Sequence, residues 1–283
     1  HLLFYTWAIS ENNKTKTTIM KTKILSLASL TFASSLSFGA TSCLTGNKTI
    51  EASQTLTSRN YVVSPFTGVD CSSVVDIKIR QGSSQSVVLE APTNYIDYFI
   101  VSVKNGILHV DSKSGVNFRN TNDIEMTIVV PELKMVKTSG TGDIDLIGSF
   151  QTGDFNAKTS GTGDIEAKQL RAASVNLESS GTGDISITST SHLNLVYAET
   201  TGTGDITIVG SAARAVYRAS GTGDVEASRM KAVNVEAAAS GTGDIECYAS
   251  EAFSGSASGV GDIEVKGNPA TRTVETKRIK FRD

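Results

Sequence analysis

The 283-residue chain has few of the residues that usually carry chemistry or cross-links. It holds one tryptophan, Trp7, and aromatic residues make up 6% of it. The stretch past residue 42 therefore lacks an indole, the side chain best suited to a flat platform for sugar rings. Three cysteines are too few for a disulfide framework. Only His109 and His192 lie past residue 42, in separate regions and outside the His-x-His and His-Glu-x-x-His spacings that hold metals. There is no Gly-x-Ser-x-Gly elbow, no P-loop and no Cys-x-x-Cys. No apolar run reaches the ~20 residues of a membrane span.

The first methionine is Met20. It opens Lys21 and Lys23, an apolar and Ser-rich run from Ile24 to Gly39, and then Ala40-Thr41-Ser42-Cys43. Basic, apolar and small-residue regions in that order read as a secretory signal over residues 20–42. Residues 1–19 then read as an upstream extension without a structural role. Small residues directly before Cys43 suit a bacterial lipobox, so Cys43 is the expected lipidation site, although Ala40 stands where Leu is usual. Cleavage by an ordinary signal peptidase at the same bond is the alternative. Two or three acyl chains hold a lipoprotein stably at a membrane. The expected location is the outer membrane as a lipoprotein, or the periplasm or cell surface.

Setting aside Lys14, Lys16, Lys21, Lys23 and Glu11, the chain carries 22 basic and 28 acidic residues, a net charge near −6. That argues against nucleic acid as a partner, which needs a basic stripe.

What the sequence does have is a repeat. Gly-Thr-Gly-Asp followed by Ile or Val occurs six times, starting at Gly140, Gly161, Gly181, Gly202, Gly221 and Gly241. A seventh copy, Gly259-Val260-Gly261-Asp262-Ile263, changes one residue. The spacing is nearly constant, and its shortest step runs from Gly241 to Gly259. A fixed period of about 20 marks a solenoid of stacked coils. After each Asp comes an alternating run such as Asp164-Ile165-Glu166-Ala167, and a second such as Val175-Asn176-Leu177 enters the next glycine. Period-2 alternation makes these strands, with the apolar residues on one face. Each coil should hold two clear strands and room for a short third. Glycine at the corners would permit positive φ or close approach of the neighbouring coil. The intervening Thr residues would bond laterally to one another, and Asp would close an Asx-type turn. Ala is common in the repeats, so the core should be narrow. Cys247, where other repeats have Ala, Ile or Val, reads as a buried filler.

Upstream, residues 43–57 read as a tether and 58–137 as a strand-rich N-terminal region. Runs such as Val74–Ile79, Val87–Glu90, Ile107–Val110 and Ile124–Val130 alternate between turns at Gln81-Gly82, Asn105-Gly106 and Ser114-Gly115. Asn94 to Phe99 is the one place for a short helix, and Pro131 should close the last strand. The repeat solenoid spans 138–267, and residues 268–283 read as a charged C-terminal cap. The fold class is all-β: a parallel β-helix (solenoid) whose coils follow the glycine repeat, preceded by the strand-rich region.

Several pieces together are similar to one family. They are the opening Tyr61-Val62-Val63-Ser64-Pro65-Phe66, the strand and turn Val75 to Gly82, and the Leu-centred Asn105 to Val110. Pro131-Glu132-Leu133 follows, then the Ser-Gly-x-Gly-Asp repeats and Gly267-Asn268-Pro269. Over about residues 58–275 the chain resembles the head GIN domain family of auto-transporter adhesins, typical of Bacteroidetes. The resemblance implies a β-helical fold and a surface or adhesive role, and it supplies no catalytic residues. In this sequence Gly267 is followed only by the short segment Asn268 to Asp283, too little for a translocator barrel, so the auto-transporter label is not expected to hold.

Two constellations invite a functional reading. The first is the file Asp143, Asp164, Asp184, Asp205, Asp224, Asp244 and Asp262. Stacked in register, these like charges raise one another's pKa. Backbone N–H donors at each turn are the expected compensation, and no cofactor is expected. Ca²⁺ along the file is the sharper alternative, since Ca²⁺ takes six to eight oxygens. A parallel file of Glu166, Glu226, Glu246 and Glu264 reads as an exposed polar face. The second constellation is a candidate ligand face of Tyr197 and Tyr217, one repeat apart, with Arg214 and Arg218 beside them. The leading function is a non-enzymatic envelope lipoprotein that binds a surface glycan or protein through its lateral face, with oligomerisation open. The alternatives are a β-helix carbohydrate-active enzyme such as a polysaccharide lyase, and a ligand-free structural envelope protein.

Overall fold

The computed structural model describes residues 47–282; the extension, the signal and Cys43 lie outside the described residues. Alternation becomes strand wherever the sequence leads one to expect it. In Ile165–Arg171, Ile165 and Ala167 are buried and Glu166 is half-exposed; in Ser174–Ser179, Val175, Leu177 and Ser179 are buried. From the coil starting at Ile185 onward, the two strands merge into one long bent strand per coil. These are Ile185–Thr200, Ile206–Ala219, Val225–Ala239 and Ile245–Ala257. Register shifts mark the bends, as between Thr188 and His192. The short third strand is seen at Phe150–Gln151, paired with Leu170–Arg171.

Coils stack in parallel and in register. Ile144 pairs Ile165, which pairs Ile185, then Ile206, Val225, Ile245, Ile263 and Ile279. All are buried, as are the Ala-rich files opposite them. The last pairing comes from residues 268–283, whose strands Thr271–Val274 and Ile279–Arg282 continue the stack. Neighbouring strands lie ~4.8 Å apart, and each coil touches only its neighbours, so stability accumulates from one interface after another.

The stacking extends upstream of residue 138. Strand Asp76–Gln81 lies between Glu125–Val130 and Ile144–Leu146, and Gly68–Cys71 lies between Ile107–Ser112 and Met135–Thr138. The chain therefore lays down the second coil first, runs outward, and returns to make the first. The excursion ends the stack with antiparallel pairs: Ser86–Pro92 on Glu125–Val130, Leu56–Asn60 on Ser86–Pro92, and Phe99–Lys104 on Ile107–Ser112. Asn105 and Gly106, at φ 52° and 74°, make the last of these hairpins, with the positive φ its tight turn requires. A single 3₁₀ turn, Ile96–Tyr98, sits in the Asn94–Phe99 segment, and the strand before Pro131 ends at Val130. Within the expected tether, the described residues 47–57 include a strand. Lys48–Glu51 pairs Val116–Arg119, and the Tyr95 hydroxyl donates to the Ile50 carbonyl at 2.7 Å. Tyr95 and Phe99 flank Phe118 at centroid distances of 4.9 and 5.2 Å and plug this end of the core. Cys71 and Cys247 are free and buried, and burial pushes their thiols up to about 11 and about 12.

Candidate functional site

The repeated corner is built from backbone. A Cβ on Gly161 would lie 2.0 Å from the Gly140 carbonyl oxygen, and one on Gly163 2.1 Å from that of Gly142. The same clash recurs at both glycines in every copy. None of these glycines has positive φ. Close approach, and not left-handed backbone, fixes their identity. The approach lets Thr162 and Gly163 N–H groups share the Gly140 carbonyl at 3.0 and 3.3 Å, and the pattern repeats up the rod.

Beneath the glycines runs a ladder that the sequence reading missed. Thr138, Thr159, Ser179 and Thr200 are buried, and each hydroxyl donates to the carbonyl of the glycine four residues on, at 2.8–3.0 Å. Cys71, in the same file, places its Sγ 3.6 Å from the Val75 carbonyl. Ala219, Ala239 and Ala257 hold the position in later coils and make no such bond. The signal was present as a hydroxyl residue two places before each early Gly-Thr-Gly. The expected Thr-to-Thr bonds do not form: Thr203 and Thr222 donate, at 3.5 Å, to the glycine carbonyls of the preceding coil.

The aspartates form a continuous side-chain-to-backbone ladder. Oδ1 of Asp143 accepts the N–H of Asp164 at 2.8 Å, and Asp164, Asp184, Asp205, Asp224 and Asp244 each do the same for the next, ending at Asp262. Asp76 is an unforeseen first member, accepting from Asp143 N–H at 3.1 Å. In return, the N–H of Ile144 donates to the Asp164 carbonyl at 2.8 Å, and this too repeats. One oxygen of each carboxylate is thus committed to the neighbouring coil. Among the described residues no group of three or more His, Cys, Asp or Glu is arranged to hold a metal.

Charge along these files is uneven. Burial raises the Asp76 pKa, the Asp143 N–H opposes the shift, and the charges of Asp143 and Glu125 add to it. Burial also raises Asp145, with Glu166 and Asp143 adding to the effect. At the far end Lys280 holds Asp262 below the ordinary carboxylate value, with Arg278 3.5 Å away. In the outward file Asp145 pairs Glu166, followed by Ser186, Thr207, Glu226, Glu246 and Glu264. Lys168, Lys266 and Arg282 pair with Glu166, Glu246 and Glu264 at 3.0, 3.2 and 3.0 Å.

The structure divides the expected ligand face. Tyr197 points outward; its hydroxyl donates to Glu199 at 2.5 Å, and the Arg218 guanidinium lies 5.8 Å from its ring centroid. Arg214 meets Glu236 at 3.2 Å, and Arg218 lies 4.0 Å from the same carboxylate. Tyr217 does not join them. Its partners in register are Ala198 and Ala237, so it faces inward and fills the space two alanines leave. It is fully buried, its hydroxyl has no partner, and burial raises its pKa well above the ordinary value. A one-residue offset in register turns a side chain to the other face of a sheet. His192 meets the Ser211 hydroxyl at 3.1 Å on the surface, and His109 lies 3.6 Å from Asp70.

The comparisons agree with this architecture. A family profile described as "Putative auto-transporter adhesin, head GIN domain" matches residues 65–269. Among solved structures, a "putative adhesin" from Bacteroides fragilis is 26% identical with a TM-score of 0.62, covering 82% of this chain and 96% of its own. One from Parabacteroides distasonis is 20% identical with a TM-score of 0.75, covering 83% and 99%. One from Parabacteroides merdae is 18% identical with a TM-score of 0.74, covering 83% and 100%. For the two Parabacteroides proteins the likeness bears on the fold alone. No curated protein matches the chain. With a profile match across most of its length and a coil stack shared with these structures, the chain belongs to the head GIN domain family, the one described as "Putative auto-transporter adhesin, head GIN domain".

Proposed function

We propose that the protein is a non-enzymatic binding module of the cell envelope, anchored through Cys43, that adheres through the outward strands of its lateral face. The observation that carries this reading is a division of labour within each coil. Core and corner positions are locked by burial, by backbone approach and by the Asp ladder. The outward positions of the lateral strand, Val216 excepted, are not buried, and they vary from coil to coil: Asn176, Tyr197, Val216, Glu236, Ser254 in one file and Glu178, Glu199, Arg218, Ala238, Ser256 in the next. A rigid surface with freely varied side chains suits recognition. The family's description and that of the similar Bacteroides fragilis structure support adhesion over catalysis. Among the described residues no helix is long and apolar enough to cross a membrane, and the proposed acyl anchor at Cys43 would supply membrane attachment.

Binding of the purified protein to arrayed glycans and immobilised surface proteins tests the reading. At least one class should bind, and Arg218→Glu should weaken that binding while Ser180→Ala, at the corner, should not. Absence of binding to both classes would overturn it. Incorporation of a fatty-acid analogue, lost in Cys43→Ser, tests the anchor separately.

A further inference from the structure

The lateral face has a step in it. Following one outward file toward the C-terminal end, Arg218 gives way to Ala238 and Ser256; in a second, Arg214 gives way to Asn234 and Ala252. Long side chains stop and small ones begin. Gly255, between the outward Ser254 and Ser256, has no room for a Cβ, which would lie 2.6 Å from the Phe253 ring. The outward Ala238, Ser254 and Ser256 have no such inward constraint. Two depressions of about 200 and 180 Å³ result, side by side, sharing Glu236, Ser254 and Thr273. Arg214 and Asn234 border one, and Glu275 borders the other.

We infer that this step is a subsite for a neutral glycan, a proposal that rests on the adhesive reading above. The lining is rich in directional donors and acceptors: guanidinium, amide, carboxylates and hydroxyls. Glu236 is already paired, with Arg214 at 3.2 Å and Arg218, outside both linings, 4.0 Å away. An anionic ligand meets Glu236 and Glu275, and a cationic one meets Arg214 and must compete with it for Glu236. A neutral ring bearing hydroxyls accepts from Arg214 and donates to Glu236 at once, without breaking their pairing. Neither depression contains an exposed large apolar side chain to bury the anchor residue of a peptide.

The test uses the full protein and parallel sets of neutral, uronate-bearing and sulfated oligosaccharides. Neutral oligosaccharides should bind. Glu236→Gln and Ser254→Trp should each weaken them about tenfold or more, with the melting curve unchanged, and Ser180→Ala at the corner, outside the lateral face, should have no effect. If Ser254→Trp fails to fold, Glu236→Gln and Arg214→Met carry the test. Binding of acidic sugars alone, or neutral binding indifferent to the folded variants, overturns the inference. Binding to an immobilised protein but to no glycan also overturns it, and leaves the adhesive reading standing. Binding to neither overturns both.

Discussion

A missing Cβ at each corner decides whether successive coils can meet. Gly183 faces the Gly163 carbonyl, with 2.1 Å available where a methyl would sit, whereas Gly153 has open space around it and no positive φ. Gly183→Ala should therefore force the two coils apart and cost roughly 1–3 kcal/mol or more in a denaturant melt. Gly153→Ala should stay within about 0.5 kcal/mol of the parent. An equal effect of the two would contradict the close-approach account. The positions of these glycines were legible in the sequence, but the choice between their two possible reasons was not, because both place glycine at a corner. Tyr217 teaches the opposite lesson. Its inward direction was encoded in the shortened step from Gly202 to Gly221, and reading Tyr197 and Tyr217 as equivalent places in successive repeats overlooked it. The eighth aspartate, Asp76, was hidden because its corner has no Gly-Thr-Gly: Ser73 and Val75 occupy the matching places, against Gly140 and Gly142.

At the scale of strands, each outward file joins charges from different coils, and acid acts on its two ends with opposite sign. Asp145 has a raised pKa from burial and from Glu166 and Asp143, so its charged form disfavours the folded state above that pKa. Asp145→Asn should accordingly raise stability slightly at neutral pH, and the gain should vanish below the ordinary Asp value of ~3.9. Asp262 is held low by Lys280 and Arg278, so its contribution is present above ~3.9 and disappears as pH falls through its lower folded value. Protection of the amides over residues 271–282, measured against their intrinsic exchange rates at each pH, should then fall on acidification, and in Asp262→Asn it should already be reduced at neutral pH. Protection there that ignores both pH and the substitution would refute the assignment. Strand existence and face were readable from period-2 alternation in the repeats and in runs such as Ile124–Val130, but not for Lys48–Glu51, inside the expected tether, nor for the face of Tyr217. The merging of two strands into one bent strand was not readable, since the bend from Thr188 to His192 carries no glycine or proline, and only the next, at Gly210, carries a glycine.

For the whole molecule, nearest-neighbour stacking makes length adjustable. Removing residues 181–201, one full period, brings Gly161 and Gly202 into adjacent corners and keeps every file continuous. The shortened protein should still fold cooperatively by circular dichroism, whereas removal of half that length should not. Calcium is expected to leave the melting temperature unchanged at millimolar concentration, because one oxygen of each aspartate from Asp143 to Asp244 already receives a backbone N–H and the Asp262 carboxylate is met by Lys280 and Arg278. A clear upward shift would revive a metal role for Asp143 to Asp262. The inverted order of the first two coils was invisible to sequence reasoning, since alternation reveals strands and says nothing of which neighbour each will choose. That inversion has a consequence for assembly. Asp76 meets Asp143 from 67 positions away in the chain, whereas the next rungs close over 21 and 20. The first two coils are thus the entropically costly part to close, and they contain the whole reversal. Each later rung closes over one short period onto the rung before it, so a genome can lengthen this protein by copying a short cassette and leave that costly first closure untouched.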